Sequence, residues 1–244
     1  MCDFTELQTI RNNFRDDLTQ WFDIAHTLVA LASLGSDTVF ENLDINPVYS
    51  FRVPIKTSLG LSLASINDLK YSKMGEIYLN HKLAIPELIF ERLIQLWYKF
   101  LNQIVEQLVK ESLAGSQNYP EIEKLIIKSK GKEEIIKLIC KEFEFDIKNI
   151  KKTKKIENYL GQKIDAAHHQ NITVAIILRN LLEHNKGIIR ENDLNSLNSN
   201  SIKLINDSCQ EQNFLLGEKV KITIYEVYKL KNLPYHISKQ LIPD

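Results

Sequence analysis

Arg179-Asn180-Leu181-Leu182-Glu183-His184 places a permanent cation, an amide and an imidazole within one short stretch of chain. These residue types can act on a phosphodiester without a metal. Arginine stays charged and clamps phosphate oxygens through two parallel hydrogen bonds. Histidine, as a residue type, titrates near neutral pH and can take or give a proton. RNA carries its own nucleophile, the 2′-hydroxyl. Its cleavage then needs only deprotonation of that hydroxyl, stabilisation of the phosphorane and protonation of the leaving oxygen.

The segment must be positioned by a helix. Val174-Ala175-Ile176-Ile177-Leu178 leads into it, and Asn185-Lys186-Gly187 follows it. At about 100° per residue, Leu178, Leu181, Ile177 and Leu182 cluster around Val174, while Arg179, Asn180, Glu183 and His184 fall on the other side. The spacing predicts an apolar arc packed on a bundle and a polar arc facing outward. Asn180 and His184 are one turn apart, as are Arg179 and Glu183. Gly187 suits the left-handed position just past a helix end. Arg179 and His184 diverge by about 140°. A phosphate touching both must therefore sit at the helix end or against a second copy of the segment. Two-fold pairing would join two such ends, so a composite site in a homodimer is expected.

Arg-Asn-x-x-x-His followed by Asn-x-Gly-Ile-Ile, late in a helical chain, resembles the HEPN superfamily. Active members carry Arg-x(4–6)-His, often with a polar residue after the Arg. The likeness covers residues 86–242 and maps Arg179 and His184 as the pair, with Asn180 as polar companion. Residues 1–85 carry no such likeness. What the resemblance implies is a dimeric, metal-independent endoribonuclease with no cofactor. Many such proteins serve as toxins or antiviral-defence effectors, so an antitoxin or other defence partner is expected. By resemblance, Arg179 would orient or stabilise the scissile phosphate, His184 would move protons and Asn180 would support both. One subgroup, controlled by tyrosine adenylylation, has Tyr two positions after the His. Lys186 stands there in this chain.

Blander readings stand beside these. The motif could be a helix-ending charge cluster, with Arg179–Glu183 an ordinary surface ion pair worth about 0–1 kcal/mol. It could also belong to a catalytically silent HEPN-like module that binds nucleic acid, nucleotide or protein. Asp165-Ala166-Ala167-His168-His169 invites a metal, but adjacent helical histidines diverge by about 100° and no third ligand is evident, so no metal site is assigned. Eleven lysines between positions 124 and 155 outnumber five acidic residues there. Lys151, Lys152, Lys154 and Lys155, together with Lys186, are the candidate RNA contacts. A solvated helix face is the competing account.

The bulk composition narrows the classes. The chain has 244 residues, with Lys+Arg and Asp+Glu both 31. Zero net charge argues against general electrostatic nucleic-acid binding, so any contact must be local. Cys2, Cys140 and Cys209 are far apart and form no zinc or disulfide framework. The N-terminus lacks a signal-peptide pattern, and no apolar run approaches the ~20 residues of a membrane span. A cytoplasmic protein with no membrane association is expected.

Few Gly and Pro residues, 8 and 6, favour long helices. The fold class expected is mainly α: an antiparallel helical bundle of HEPN type with an N-terminal helical extension and minor β pieces. The expected division is 1–85, a long helix plus an irregular β-containing segment, and 86–244, the HEPN-like domain. Leu7, Ile10, Phe14, Leu18, Trp21, Ala25, Leu28 and Ala32 mark a first helix over 5–34, ended by Gly35 and Asp37. Residues 48–53 and 76–79 are β-prone. Pro86 opens a second helix closed by Gly115, and Pro120 opens a third. Residues 146–155 read as a lysine-rich connector. The motif helix starts near Ile156 or Asn171. Residues 191–213 read as a loop with a short strand at 202–205, with Lys219–Ile222 as its pairing partner. Thr223 to Glu226 forms a capping box for a last helix, kinked or ended by Pro234.

Overall fold

The computed structural model describes residues 4–41, 48–57, 60–113 and 149–244. The protein is mainly α-helical with minor β elements. Helices α1 (Phe4–Glu41), α2 (Tyr71–His81), α3 (Ala84–Leu113), α4 (Asn149–Leu160), α5 (Ala166–Asn185), α6 (Glu191–Leu197) and α7 (Ile224–Leu241) are accompanied by two hairpins. Strands β1 (Val48–Thr57) and β2 (Gly60–Lys70) form one, and β3 (Ile202–Ile205) and β4 (Glu211–Phe214) the other, both antiparallel. The Gly115 stop and the third helix expected from Pro120 lie outside the described residues.

The chain forms two compact units, Met1–Asp23 with Pro86–Asp244, and Ile24–Ile85. The expected 1–85 segment is thus divided within α1. The reason is the apolar stripe of α1, whose first half belongs to the C-terminal core. Leu7, Phe14 and Leu18 are buried together with Leu93, Trp97, Phe100 and Ile104 of α3. The Phe14 and Phe100 rings stack at 4.3 Å, and Trp97 lies 6.1 Å from Phe14. Buried Arg11 donates from Nη1 to the Ile242 carbonyl at 2.6 Å and pairs with Asp244 at 2.9 Å, tying α1 to the segment after α7.

In the second unit, α1 runs through Gly35 and Asp37, where a stop was expected. A glycine lowers helix propensity by about 1 kcal/mol but does not break a helix unless a left-handed backbone is required. Residues 76–79, expected as a strand, lie in α2. Gly75 there admits the Phe40 ring, since a Cβ at this position would sit 3.1 Å from Phe40 Cε1. The β1–β2 hairpin carries a register shift between Phe51 and Arg52.

In the first unit, α5 packs on α7 and α6, and α7 packs on α4 and β3. The lysine-rich stretch expected as a connector forms most of α4. Gly161, at φ 64°, separates α4 from α5, so Ile156 and Asn171 lie inside helices and start neither. Pro86 sits in the first turn of α3, where its missing N–H leaves no helical bond unmade. Pro234 lies inside α7, which continues to Leu241.

The expected capping box at Thr223 is half realised. Thr223 Oγ1 accepts from the Glu226 amide and donates to the Ile205 carbonyl at 2.8 Å. The Glu226 carboxylate instead accepts from the Ile205 amide and from Lys229. Together they bolt the β3 edge onto the start of α7. Burial pushes the Glu226 pKa above its ordinary 4.5, with Lys229 and the Ile205 amide pulling the other way.

Two outcomes follow from this packing. Phe14→Ala should destabilise the chain by about 3–5 kcal/mol, read from denaturant unfolding, because it empties the ring stack. A folded-state pKa raised above the unfolded value gives stability that is complete below the unfolded value and lost as pH rises through the folded one. Unfolding free energy should therefore decline as pH rises from about 4.5, and Glu226→Gln should flatten that slope. An unchanged slope in the variant would contradict the burial argument.

Candidate active site

The last turn of α5 ends where the sequence placed it. Lys186 caps the helix with φ 54°, and Gly187 follows at φ 79°. The Leu181 carbonyl accepts from the amides of both residues, 2.9 Å away in the case of Gly187. The chain then runs as an isolated bridge rather than a loop. The Val220 amide donates to the Gly187 carbonyl at 2.9 Å, and the Ile189 amide to Glu218 at 3.0 Å. Lys219 thus pairs with Ile188, whereas the expectation was pairing with residues 202–205. That strand has β4 as its partner, a closer hairpin neighbour in sequence. Residues 191–197, expected as loop, form α6, its first turn closed by the Asp193 carboxylate accepting from the Arg190 amide at 2.9 Å.

The polar arc of α5 is not uniformly outward. Ile176, on the arc's own side, is buried along with Ala175, Ile177, Leu178 and Leu181. The helix is therefore covered on more than its apolar stripe, and Arg179 is covered with it. Its side chain is 16% exposed, against 66% for His184. Asn180 is half-buried and Lys186 is exposed.

One carboxylate joins the two motif residues. Glu183 Oε2 lies 2.6 Å from Arg179 Nη1 and 3.2 Å from His184 Nε2. Arg179 Nη1 also donates to Asn180 Oδ1 at 3.2 Å, while its buried Nε finds no hydrogen-bond partner. The residues predicted to act together thus meet within one chain, around Glu183. Guanidinium, carboxylate and imidazole form a continuous polar line. Its arginine end is shielded, where charge interactions are strengthened, and its histidine end is open to solvent.

Sequence reasoning missed the opposing surface. Glu91, on α3, has its pKa raised by burial first and then by the Glu183 carboxylate, while Arg179 pulls it down. Glu87, one turn earlier, is raised by burial, lowered by Lys219 and raised again by Glu91. A strip running from Lys219 through Glu87, Glu91 and Glu183 to Arg179 and His184 therefore spans α3, α5 and the 217–220 segment. The spacing of Glu87 and Glu91 by four was a visible sign of a shared face. Nothing in the sequence aimed that face at the end of α5.

The other candidates separate from this strip. Lys151, Lys152, Lys154 and Lys155 fall on α4, and their side chains lie outside the described residues. Asp165 accepts from Gln240 at 2.7 Å, His168 contacts Gln240 at 3.0 Å, and His169 pairs with buried Glu157 at 3.0 Å. Glu157 also accepts from the Ile164 amide, so these groups fasten the α4–α5 turn. Among the described residues, no set of three His, Cys, Asp or Glu side chains converges as metal ligands, and no helix is long and apolar enough to cross a membrane. No protein-family model, curated protein or solved structure matches the chain.

Gly187 holds this geometry. A Cβ there would lie 3.4 Å from Lys219 Cγ, on a backbone that side chains rarely adopt. Gly187→Ala should cost about 1–2 kcal/mol of stability by the left-handed penalty alone, measurable as a shifted denaturation midpoint. A neutral effect would show that the helix end tolerates another closure.

Proposed function

We propose that the chain is a metal-independent endoribonuclease of HEPN type, acting as a toxin or antiviral-defence effector through a site completed in a homodimer. The observation that supports this reading is the shared contact of Arg179 and His184 with Glu183 Oε2 at the open end of α5. In the reaction, the 2′-hydroxyl loses its proton and attacks the adjacent phosphorus. The P–O5′ bond breaks, the 5′-oxygen receives a proton, and a 2′,3′-cyclic phosphate remains. Exposed His184 is suited to one proton transfer. Arg179 is suited to the charge gathering on the phosphorane oxygens, provided Glu183 yields to the phosphate. Asn180, on the Arg179 guanidinium, keeps that group oriented. Lys151, Lys152, Lys154, Lys155 and Lys186 would supply backbone phosphate contacts. The partner protomer would provide the second proton-transfer group, and an antitoxin or other defence protein would restrain the site.

A second reading, a silent HEPN-like binding module, has one observation in its favour. The Arg179 charge is already matched by Glu183, with Glu91 close enough to be perturbed by both. A guanidinium held this firmly could serve structure alone.

Incubation of the purified protein with RNA in chelator separates the two. The expected products end in 2′,3′-cyclic phosphate, and His184→Ala should slow their formation by about 10²–10⁴-fold. Arg179→Ala should abolish detectable cleavage with melting behaviour intact. Cleavage indifferent to both substitutions, or no cleavage with RNA binding retained, rules out the nuclease reading.

A further inference from the structure

Helix α7 presents a second surface that the α5 cluster does not use. Tyr225, Tyr228 and Tyr235 recur at steps of three and seven and so share one face, while Glu226 turns inward. Tyr225 is 40% and Tyr228 53% exposed. Phe22 of α1 extends the row, its ring 5.4 Å from Tyr228 and tilted by 56°.

Two cations are set among these rings. The Arg15 guanidinium lies 3.6 Å from the Tyr235 centroid. The Lys231 ammonium sits 5.6 Å from Tyr235 and 5.9 Å from Phe22. Neither is ion-paired to a carboxylate among the described residues. Arg15 is seated on a ring face and Lys231 lies within cation–π reach of two rings. On α1, Asp16 follows Arg15 and Asp23 follows Phe22 by one residue, so each diverges from it by about 100° around the helix. The result is two exposed tyrosine rings with two cations set farther along the same row.

We propose that this face binds single-stranded nucleic acid, and RNA in particular, with unpaired bases stacked on Tyr228 and Tyr225 and backbone phosphates drawn to Lys231 and Arg15. Every base offers a π-face and every linkage a negative charge, so such a platform holds a strand without reading its sequence. A duplex buries its base faces and cannot use the rings. The choice of RNA rests on the ribonuclease reading above; the stacking and charge argument does not. The platform would retain the strand whose phosphodiester the α5 cluster acts on.

The test is fluorescence anisotropy of a short labelled single-stranded RNA, using the His184→Ala chain so that binding is read without turnover. Tyr228→Ala should weaken binding about ten-fold, and Tyr228→Phe should retain it, because the ring and not the hydroxyl stacks. Lys231→Gln should reduce the slope of log affinity against log salt by about 0.7. Matching duplex RNA should bind more weakly. Equal affinity for single-stranded DNA would support the platform and show that the sugar is not read. Unchanged affinity in Tyr228→Ala, or equal binding of duplex and single strand, would overturn the proposal, as would displacement of RNA from this face only by an acidic protein partner. Tyr228-dependent binding, with no cleavage by the unsubstituted chain, would defeat the nuclease reading and leave this one standing. Cleavage with Tyr228-independent binding would do the reverse.

Discussion

A helix can stop inside a folded chain only if its last carbonyls find donors, and the way α5 stops governs what surrounds it. The Leu181 carbonyl is closed by the amides of Lys186 and Gly187, both in left-handed backbone. That turn aims the chain so that residues 187–189 pair with 217–220, which brings Lys219 beside the base of α3. His184, in the last turn, is exposed, while Arg179, more than one turn earlier, is largely shielded.

Electrostatics then decide the resting state of the cluster. Glu183 lies between guanidinium and imidazole, occupying the place an anionic substrate would take beside Arg179. Glu91 and Glu87 crowd the same region, and burial disfavours their ionised forms. The charged strip is close to balanced, as is the chain as a whole. Long-range attraction of a polyanion cannot originate in such a strip. Two cations with no carboxylate partner among the described residues, Arg15 and Lys231, stand elsewhere, each near a tyrosine ring.

Periodicity made the helical stripes legible. The α1 and α3 stripes, Pro86 in an opening turn and Gly187 past the end of α5 could all be read because each follows from local sterics or from 3.6-residue spacing. Gly35 was read as a stop, yet it lies within α1, because a glycine marks where a turn is permitted and not where one is needed. Residues 76–79 include strand-forming side chains but lie in α2, with the Phe40 ring beside Gly75 at their start. The lysine-rich stretch at 151–155 looked like a tether because charge hides an apolar stripe as narrow as that of α4.

The order of residue types at Arg179, Glu183 and His184, and the helix that carries them, were determined by the sequence alone. Local propensity and a one-turn spacing suffice to set neighbours on a helix. Which of those side chains would be buried, and that Glu87, Glu91 and Lys219 would face them, were decided only in the tertiary structure. Those facts depend on the direction in which a helix leaves its last turn and on what packs across it. Contacts between residues about a hundred positions apart leave no periodic trace in a single chain.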